Sequence, residues 1–249
     1  MKLFIRKVYS IYAFFMFVLI MLIIFPFIIL CSLTGKIRGG NLIYKCCNIW
    51  ARTWYFFIGI QHEEIFESAH DYNKQFIFIA NHISYMDIPP VVATIKQPYR
   101  ALGKAEMVKI PIFGFIYKLA VVLVDRSSSE KRAQSLRALK AAIAHHISIF
   151  IFPEGTFNLT KNPLKEFYDG AFKIAIETQT PIKPILFIDS FDRLHHSSIF
   201  TLNTGKNRVV YLQEIEVAGL SLNDVNFLKQ KAYKIMEDRL KHYRSYASE

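Results

Sequence analysis

The stretch Q-F-I-F-I-A-N-H-I-S-Y-M-D-I-P-P, residues 75 to 90, joins an apolar run to a histidine and an aspartate. Residues 75–80 have the β-branched and aromatic composition of a buried strand. On one continuous helix, side chains five positions apart point about 140° away from each other, so His82 and Asp87 meet only if a turn separates them. The two prolines after Asp87 favour that turn, because proline is tolerated in the first turn of a helix. We therefore expect a strand, a turn that carries His82 and a short helix that begins at Asp87.

Apolar runs of strand length recur along the chain and alternate with helical patterns. This alternation predicts an α/β fold with a mixed, largely parallel sheet flanked by helices, whose sites lie beyond the carboxyl ends of the strands. Amphipathic patterns predict helices at 128–146 and 170–179 and a polar C-terminal helix at 222–246. The predicted strands are 75–80, 120–124, 147–152, 182–188 and 208–212.

The first sixty residues differ in composition from the rest. Between Lys7 and Lys36 lie 28 residues without a charge, which exceeds the roughly 20 that cross a hydrocarbon core. We expect a retained membrane helix, although Pro26 leaves a kinked, re-entrant helix open. Basic residues flank both ends, so charge does not set the orientation.

The next segment, residues 41–60, carries Trp50, Trp54 and Tyr55 among basic residues. This composition favours an interfacial helix with its rings at headgroup depth over a helix packed on the catalytic domain. The sequence thus predicts membrane-anchoring or interfacial helices in residues 1–60 and one catalytic-sized domain in residues 61–249.

Charge and cysteine usage narrow the function classes. Lys plus Arg exceed Asp plus Glu by 31 to 20, a net +11 that suits an anionic lipid surface, nucleic acid or an acidic substrate. The chain has no zinc-finger, KH or RRM signature and its basic residues are scattered, which argues against nucleic acid. The three cysteines form no C-x-x-C pair, so we expect reduced thiols and no disulfide framework. The histidine pairs at 145–146 and 195–196 lack supporting ligands, and no metal site is predicted.

Two polar clusters follow predicted strands and are candidates for chemistry. In the first, Asp87 orients one ring nitrogen of His82 while the other accepts a hydroxyl proton; the alternative is a helix N-cap beside a hydrogen-bonded strand-end histidine. The second is I-F-P-E-G-T-F-N, residues 151–158. There Glu154 could orient a substrate hydroxyl, and the Gly155 and Thr156 amides could bind an oxyanion or phosphate; the alternative is an ordinary turn with Glu154 in solvent.

Four ordered motifs resemble those of the glycerolipid acyltransferases. N-H-I-S-Y-M-D at 81–87 is similar to the family's N-H-x4-D motif, and F-P-E-G-T at 152–156 to its F-P-E-G-T motif. G-K-A-E-M-V-K-I-P-I-F-G and V-D-R, at 103–114 and 124–126, resemble the second motif, and P-I-K-P-I at 181–185 resembles the fourth. The resemblance covers roughly residues 60–215 and is nearest to the 1-acyl-sn-glycerol-3-phosphate acyltransferases.

This resemblance implies transfer of an acyl group from acyl-CoA or acyl carrier protein to the sn-2 hydroxyl of lysophosphatidic acid, at the cytoplasmic face of the inner membrane. His82 would be the general base and Asp87 would orient it, with no metal and no cofactor beyond the thioester co-substrate. Further residues would seat the acceptor or bind its phosphate. They are Glu154, Gly155 and Thr156 for seating, and Lys104 and Arg126 for the phosphate.

The sequence departs from the family after E-G-T, where Phe157 and Asn158 stand in place of the usual arginine. Lys104, Lys161 or Lys165 would then supply the charge for the phosphate. Alternatively, the acceptor carries no phosphate, as in a lyso-ornithine or glycine lipid. A membrane-anchored lipid-binding protein without catalysis is the non-enzyme alternative. A serine hydrolase and a P-loop enzyme are disfavoured, because the chain has neither G-x-S-x-G nor G-x4-G-K.

Overall fold

The computed structural model describes residues 2–124 and 128–245. Within these ranges, seven strands form one sheet in the order β1-β7-β6-β2-β5-β3-β4. The strands are β1 Ile60–Phe66, β2 Ile77–Ala80, β3 Tyr99–Lys104, β4 Val121–Val124, β5 Ser148–Ile151, β6 Ile182–Phe187 and β7 Gly205–Tyr211. The helices are α1 Lys2–Ser32, α2 Lys36–Phe57, α3 Ile88–Thr94, α4 Phe113–Ala120, α5 Ser129–Ala144, α6 Gly170–Glu177, α7 Ser190–Arg193 and α8 Val225–Ser245.

The sheet is mixed and largely parallel, as predicted. β6 and β7 pair antiparallel, whereas the other neighbouring strands pair parallel. The five predicted strands and three predicted helices are present, with ends that differ from the prediction by at most three residues. β1 and β3 are additional strands that the sequence did not predict.

Successive residues of a strand point to opposite sides of the sheet. Helices cover both of these sides. Phe76, Phe78 and Ala80 belong to a core that also contains buried residues of α1, α2, α3 and α4. Ile77 and Ile79 belong to a second core, on the face covered by α5, α6 and α8. We call the side of the sheet that holds the first core the α1–α2 face, and the side that holds the second core the α8 face.

Helix α2 packs against α1 and the sheet rather than lying free at an interface. Trp50, Trp54 and Tyr55 are buried. The Trp50 indole N–H donates to the Phe17 carbonyl at 3.2 Å, and that of Trp54 donates to the Ala13 carbonyl at 2.7 Å. The prediction that these rings lie at headgroup depth is therefore wrong, because α1 supplies apolar surface and acceptors for them inside the protein.

Helix α1 is the one described helix long and apolar enough to cross a membrane, over Phe4–Ser32. Many of its large apolar side chains are exposed. It contacts the remainder of the protein towards both ends. Near one end the Arg6 Nε donates to the Thr201 carbonyl at 3.0 Å, and near the other the Phe25 ring makes an edge contact with Phe115, with ring centroids 5.6 Å apart. α1 therefore lies along the α1–α2 face, with its other side uncovered.

Candidate active site

The register of β2 and β5 brings the two polar clusters together. Ile79 pairs with Ile151 in these parallel strands, and His82 and Glu154 each follow three residues later. Asn81 fixes the start of the turn after β2: its side-chain amide donates to the Phe187 carbonyl at 2.9 Å and accepts from the Phe187 N–H at 2.8 Å. Both clusters thus lie at the carboxyl edge of the sheet, as predicted.

The Asp87 carboxylate is completely buried and is held by the turn that it follows. Its Oδ2 accepts from the backbone N–H groups of Ile83 and Ser84, at 2.7 and 2.9 Å. The same oxygen lies 2.9 Å from Nδ1 of His82. A 3₁₀ turn over Tyr85–Asp87 leads into α3, so the predicted strand, turn and helix are all observed.

This geometry defines the roles of the two ring nitrogens of His82. Because the carboxylate only accepts hydrogen bonds, Nδ1 donates to it, and in the neutral imidazole Nε2 then has the free lone pair. The His82 side chain keeps 15% of its surface exposed, whereas Asp87 keeps none. A buried carboxylate that fixes the tautomer of a partly exposed histidine is the arrangement expected of a general base.

Glu154 lies inside the protein and connects the two clusters. Its Oε1 accepts from the His82 backbone N–H and its Oε2 from the Lys165 backbone N–H, each at 2.8 Å. Burial raises the pKa of Glu154 from 4.5 to about 7, although both backbone hydrogen bonds act to lower it. The alternative that placed Glu154 in solvent is wrong. The carboxylate holds the backbone on either side of the site, so orientation of a substrate hydroxyl by Glu154 itself has no support in this geometry.

Aromatic rings enclose the His82 imidazole on two sides. Phe152 stacks on it with ring centroids 3.8 Å apart and planes 12° apart. The Phe157 ring makes an edge contact with the imidazole, with ring centroids 4.4 Å apart and planes at 70°, and Tyr85 makes an edge contact with Phe157, with centroids 4.9 Å apart. Phe157, the residue that departs from the family motif, therefore touches the candidate base directly.

Asn158 organises the loop after the F-P-E-G-T turn, a role that the sequence analysis did not predict. Its backbone N–H donates to the His82 carbonyl at 2.7 Å. Its side chain accepts from the backbone and hydroxyl of Thr160 and donates to the Asn162 carbonyl. Asparagine is a common turn residue, but nothing in the sequence shows that this loop returns to His82.

The remaining predicted residues lie at different distances from this centre. Gly155 adopts a φ of 71°, which favours glycine, in the turn that presents Thr156. The Lys165 ammonium donates to the Thr156 hydroxyl at 2.9 Å. Lys104 is exposed at the end of β3, and Lys161 is exposed in the loop after Asn158. Arg126 lies outside the described residues. Among the described residues, no group of three or more His, Cys, Asp or Glu side chains could hold a metal.

The comparison with known proteins identifies the family. A sequence model of the acyltransferase family matches residues 58–188. The chain belongs to this acyltransferase family. An uncharacterized acyltransferase of Schizosaccharomyces pombe is 30% identical over 184 residues, covering 73% of this chain and 64% of the relative. A 1-acyl-sn-glycerol-3-phosphate acyltransferase of Haemophilus influenzae is 25% identical over 193 residues, covering 77% and 79%. This chain thus spans about two thirds to four fifths of the length of these relatives.

A solved structure has the same fold. The crystal structure of the 1-acyl-sn-glycerophosphate acyltransferase of Thermotoga maritima is 20% identical and superposes with a TM-score of 0.73, covering 96% of this chain and 98% of that one. The acyltransferase fold class expected from the motifs is therefore confirmed, including the N-terminal helices.

Proposed function

We propose that this acyltransferase transfers a fatty acyl group from acyl-CoA or acyl carrier protein to the sn-2 hydroxyl of 1-acyl-sn-glycerol 3-phosphate, forming phosphatidic acid. The observation that carries this proposal is the 2.9 Å contact between Nδ1 of His82 and the buried Asp87 carboxylate. The name of the Haemophilus influenzae relative, a 1-acyl-sn-glycerol-3-phosphate acyltransferase, supports the choice of acceptor.

In the proposed reaction, Nε2 of His82 takes the proton of the acceptor hydroxyl. The oxygen attacks the thioester carbonyl, the carbon–sulfur bond breaks, and the imidazolium returns its proton to the leaving thiolate. Asp87 holds His82 in the required tautomer and stabilises its charged form. The thioester is consumed as co-substrate, and the mechanism needs no metal and no other cofactor.

For the acceptor phosphate we propose Lys104. It ends β3 at the carboxyl edge of the sheet, and the segment that follows leads into α4, which contacts α1 on the α1–α2 face. Its exposed ammonium can therefore approach a headgroup that enters from the side of α1. Gly155 and Thr156 border the same site, and Lys161 provides further positive charge.

We propose that α1 lies in one leaflet of the membrane. Exposed side chains such as Phe14, Phe15, Ile23 and Phe27 line the uncovered side of the helix. Because α1 contacts the protein towards both ends, crossing the bilayer would carry the charged surface of the domain into the hydrocarbon. We infer a cytoplasm-facing site at the inner membrane, where acyl thioesters are available and the free thiols of Cys31, Cys46 and Cys47 stay reduced.

A second acceptor class is favoured by one observation. Phe157 touches His82 at the position where the family has arginine, so an apolar ring replaces a phosphate ligand. A phosphate-free lyso-lipid such as a lyso-ornithine or glycine lipid fits this environment.

Acyl transfer by the purified protein in lipid nanodiscs tests both acceptors. We expect turnover with lysophosphatidic acid and its loss in His82→Ala, whereas His145→Ala, an exposed histidine at the end of α5, keeps full activity. A preference for the phosphate-free acceptor would assign the second class. Binding of either lipid without turnover would instead support the non-enzyme alternative.

A further inference from the structure

A cleft of about 340 Å³ lies beside the candidate active site, between α8 and the loop that follows the F-P-E-G-T turn. Two lysines, Lys165 and Lys229, line it together with polar loop residues such as Thr160 and Asn162. Tyr233 forms part of the wall: its hydroxyl donates to the Leu164 carbonyl at 3.2 Å. The cleft therefore combines positive charge with an aromatic surface.

Lys165 connects this cleft to the reaction centre. Its backbone N–H binds Oε2 of Glu154, and the other oxygen of that carboxylate binds the His82 N–H. Its ammonium reaches the Thr156 hydroxyl at 2.9 Å. One buried carboxylate thus separates the backbone of the candidate base from the wall of the cleft.

Basic side chains outnumber acidic ones around the cleft, three to two. Lys229 pairs with Asp169 at 2.8 Å, and Lys173 lies 3.6 Å from the same aspartate, so two cations surround one carboxylate. The hydrogen bond from Lys229 holds the pKa of Asp169 below its usual range. Glu166 also lines the cleft, with its side chain exposed to water. The ammonium of Lys165 donates a hydrogen bond to the neutral Thr156 hydroxyl.

The position of the cleft distinguishes between the two substrates. α8 covers the face of the sheet opposite to α1 and α2. A lipid acceptor drawn from the membrane approaches from the α1–α2 face, whereas an occupant of the cleft approaches from water. The acyl donor is the substrate with a water-soluble, phosphate-bearing carrier.

We propose that this cleft binds the phosphate of the phosphopantetheine arm of the acyl donor, through Lys165 and Lys229. This inference rests on the proposed acyl transfer and adds the donor side of the site. Acyl-CoA and acyl carrier protein share the arm, and either would direct its thioester past Thr156 towards His82. A lysine ammonium is a point-charge ligand for phosphate. Because the acceptor approaches from the other face of the sheet, we expect each lysine to change the affinity for the donor and not for the acceptor.

The test compares donors with and without phosphate. Lys165→Gln and Lys229→Gln are assayed with acyl-CoA, acyl carrier protein and acyl-N-acetylcysteamine, a thioester that lacks phosphate. We expect the KM for at least one phosphate-bearing donor to rise about tenfold, the loss of one charged hydrogen bond. In Lys229→Gln, the KM for the lipid acceptor and the rate with acyl-N-acetylcysteamine should stay within about twofold. Lys231→Gln is the matched control, because Lys231 is exposed two residues further along α8 and does not line the cleft.

The outcomes separate this proposal from the proposed function. A rise in the donor KM with acyl-CoA alone or with acyl carrier protein alone identifies the carrier. Either result supports phosphate binding in the cleft. An equal loss with acyl-N-acetylcysteamine, or a rise in the acceptor KM, would overturn it. Lys229→Arg keeps the charge and the Asp169 pair, and should restore the donor KM if Lys229→Gln weakens folding. Calorimetric titration with CoA gives a reading without turnover: weaker binding by the two variants supports the cleft even if no acceptor is acylated.

Discussion

The Glu154 carboxylate and the His82 backbone are joined by a 2.8 Å hydrogen bond that crosses from one sequence motif to the other. The second oxygen of the carboxylate holds Lys165 in the following loop. Glu154 therefore fixes the separation of the two loops that border the site without facing the substrate.

Glu154→Gln should lower both stability and turnover. One of the two buried acceptors becomes an NH₂ group that faces a backbone N–H, which leaves at least one hydrogen bond unmade and costs about 1 to 3 kcal/mol. Denaturant unfolding measures the free energy of unfolding. The rate of acyl transfer reports whether His82 keeps its catalytic position. Glu166→Gln, a change in the same loop at an exposed side chain, is the control and should leave both unchanged.

The raised pKa of Glu154 predicts a pH dependence of stability. Between 4.5 and about 7 the folded state binds a proton that the unfolded state has released, so the contribution of this group is complete below pH 4.5 and is lost as pH rises through 7. The free energy of unfolding of the wild type, relative to Glu154→Gln, should fall across this interval by at most about 1.4 kcal/mol per pH unit. Parallel profiles for the two proteins would contradict a buried, protonated Glu154.

Asp87→Asn should reduce acyl transfer by about 10² to 10⁴ while leaving the fold in place. The amide oxygen can still accept from the Ile83 and Ser84 N–H groups, but it no longer stabilises a charged imidazole. A large fall in kcat with an unchanged melting temperature is the expected result. An activity near that of the wild type would show that Asp87 acts as a helix cap alone.

The edge contact of Phe157 should influence kcat. Phe157→Leu removes a ring pair worth about 0.5 to 1.5 kcal/mol, so His82 spends less time in its productive orientation and kcat should fall about twofold to tenfold. Phe152 still stacks on the imidazole and preserves the site. Phe227→Leu, at an exposed ring on α8, is the matched control. A change confined to the KM of the acceptor would assign Phe157 to headgroup recognition instead.

The central strands and the catalytic pair could be predicted because their signals are local. β2 and β5 are short apolar runs, and each is followed by its polar cluster. β1 lies at the sheet edge and carries Glu63 and Glu64, which interrupt the apolar pattern. β3 contains Arg100, a charged side chain whose burial depends on carbonyls of α2 far away in sequence, such as that of Ile37 at 3.1 Å.

Contacts between distant segments explain the other differences. The sequence shows the amphipathic character of Trp50 and Trp54, but it cannot show whether a membrane or another helix receives them. Likewise, the bond from Asn158 to the His82 carbonyl depends on a loop closing over 76 residues of chain, and no local pattern encodes it.

The packing of α1 on α2 makes the N-terminal helices part of the folded unit. The only two tryptophans of the chain, Trp50 and Trp54, donate to α1 carbonyls and are buried beneath that helix. Deleting residues 1–34 exposes both indoles and leaves two donors without partners. We expect the truncated protein to aggregate or to unfold without cooperativity, with tryptophan emission shifted to longer wavelength.

A double variant on the uncovered side of α1 separates folding from membrane binding. Phe14→Ser with Ile23→Ser changes two exposed side chains, so tryptophan emission and melting temperature should match the wild type. Binding to anionic vesicles in a sedimentation assay should weaken by about 3 to 6 kcal/mol, since each fully buried large apolar side chain contributes about 1.5 to 3 kcal/mol. A chain lacking residues 1–34 that stayed monomeric in water with unchanged emission would instead show that residues 35–249 fold without α1. Unchanged vesicle binding by the double variant would place the membrane contact elsewhere on the protein.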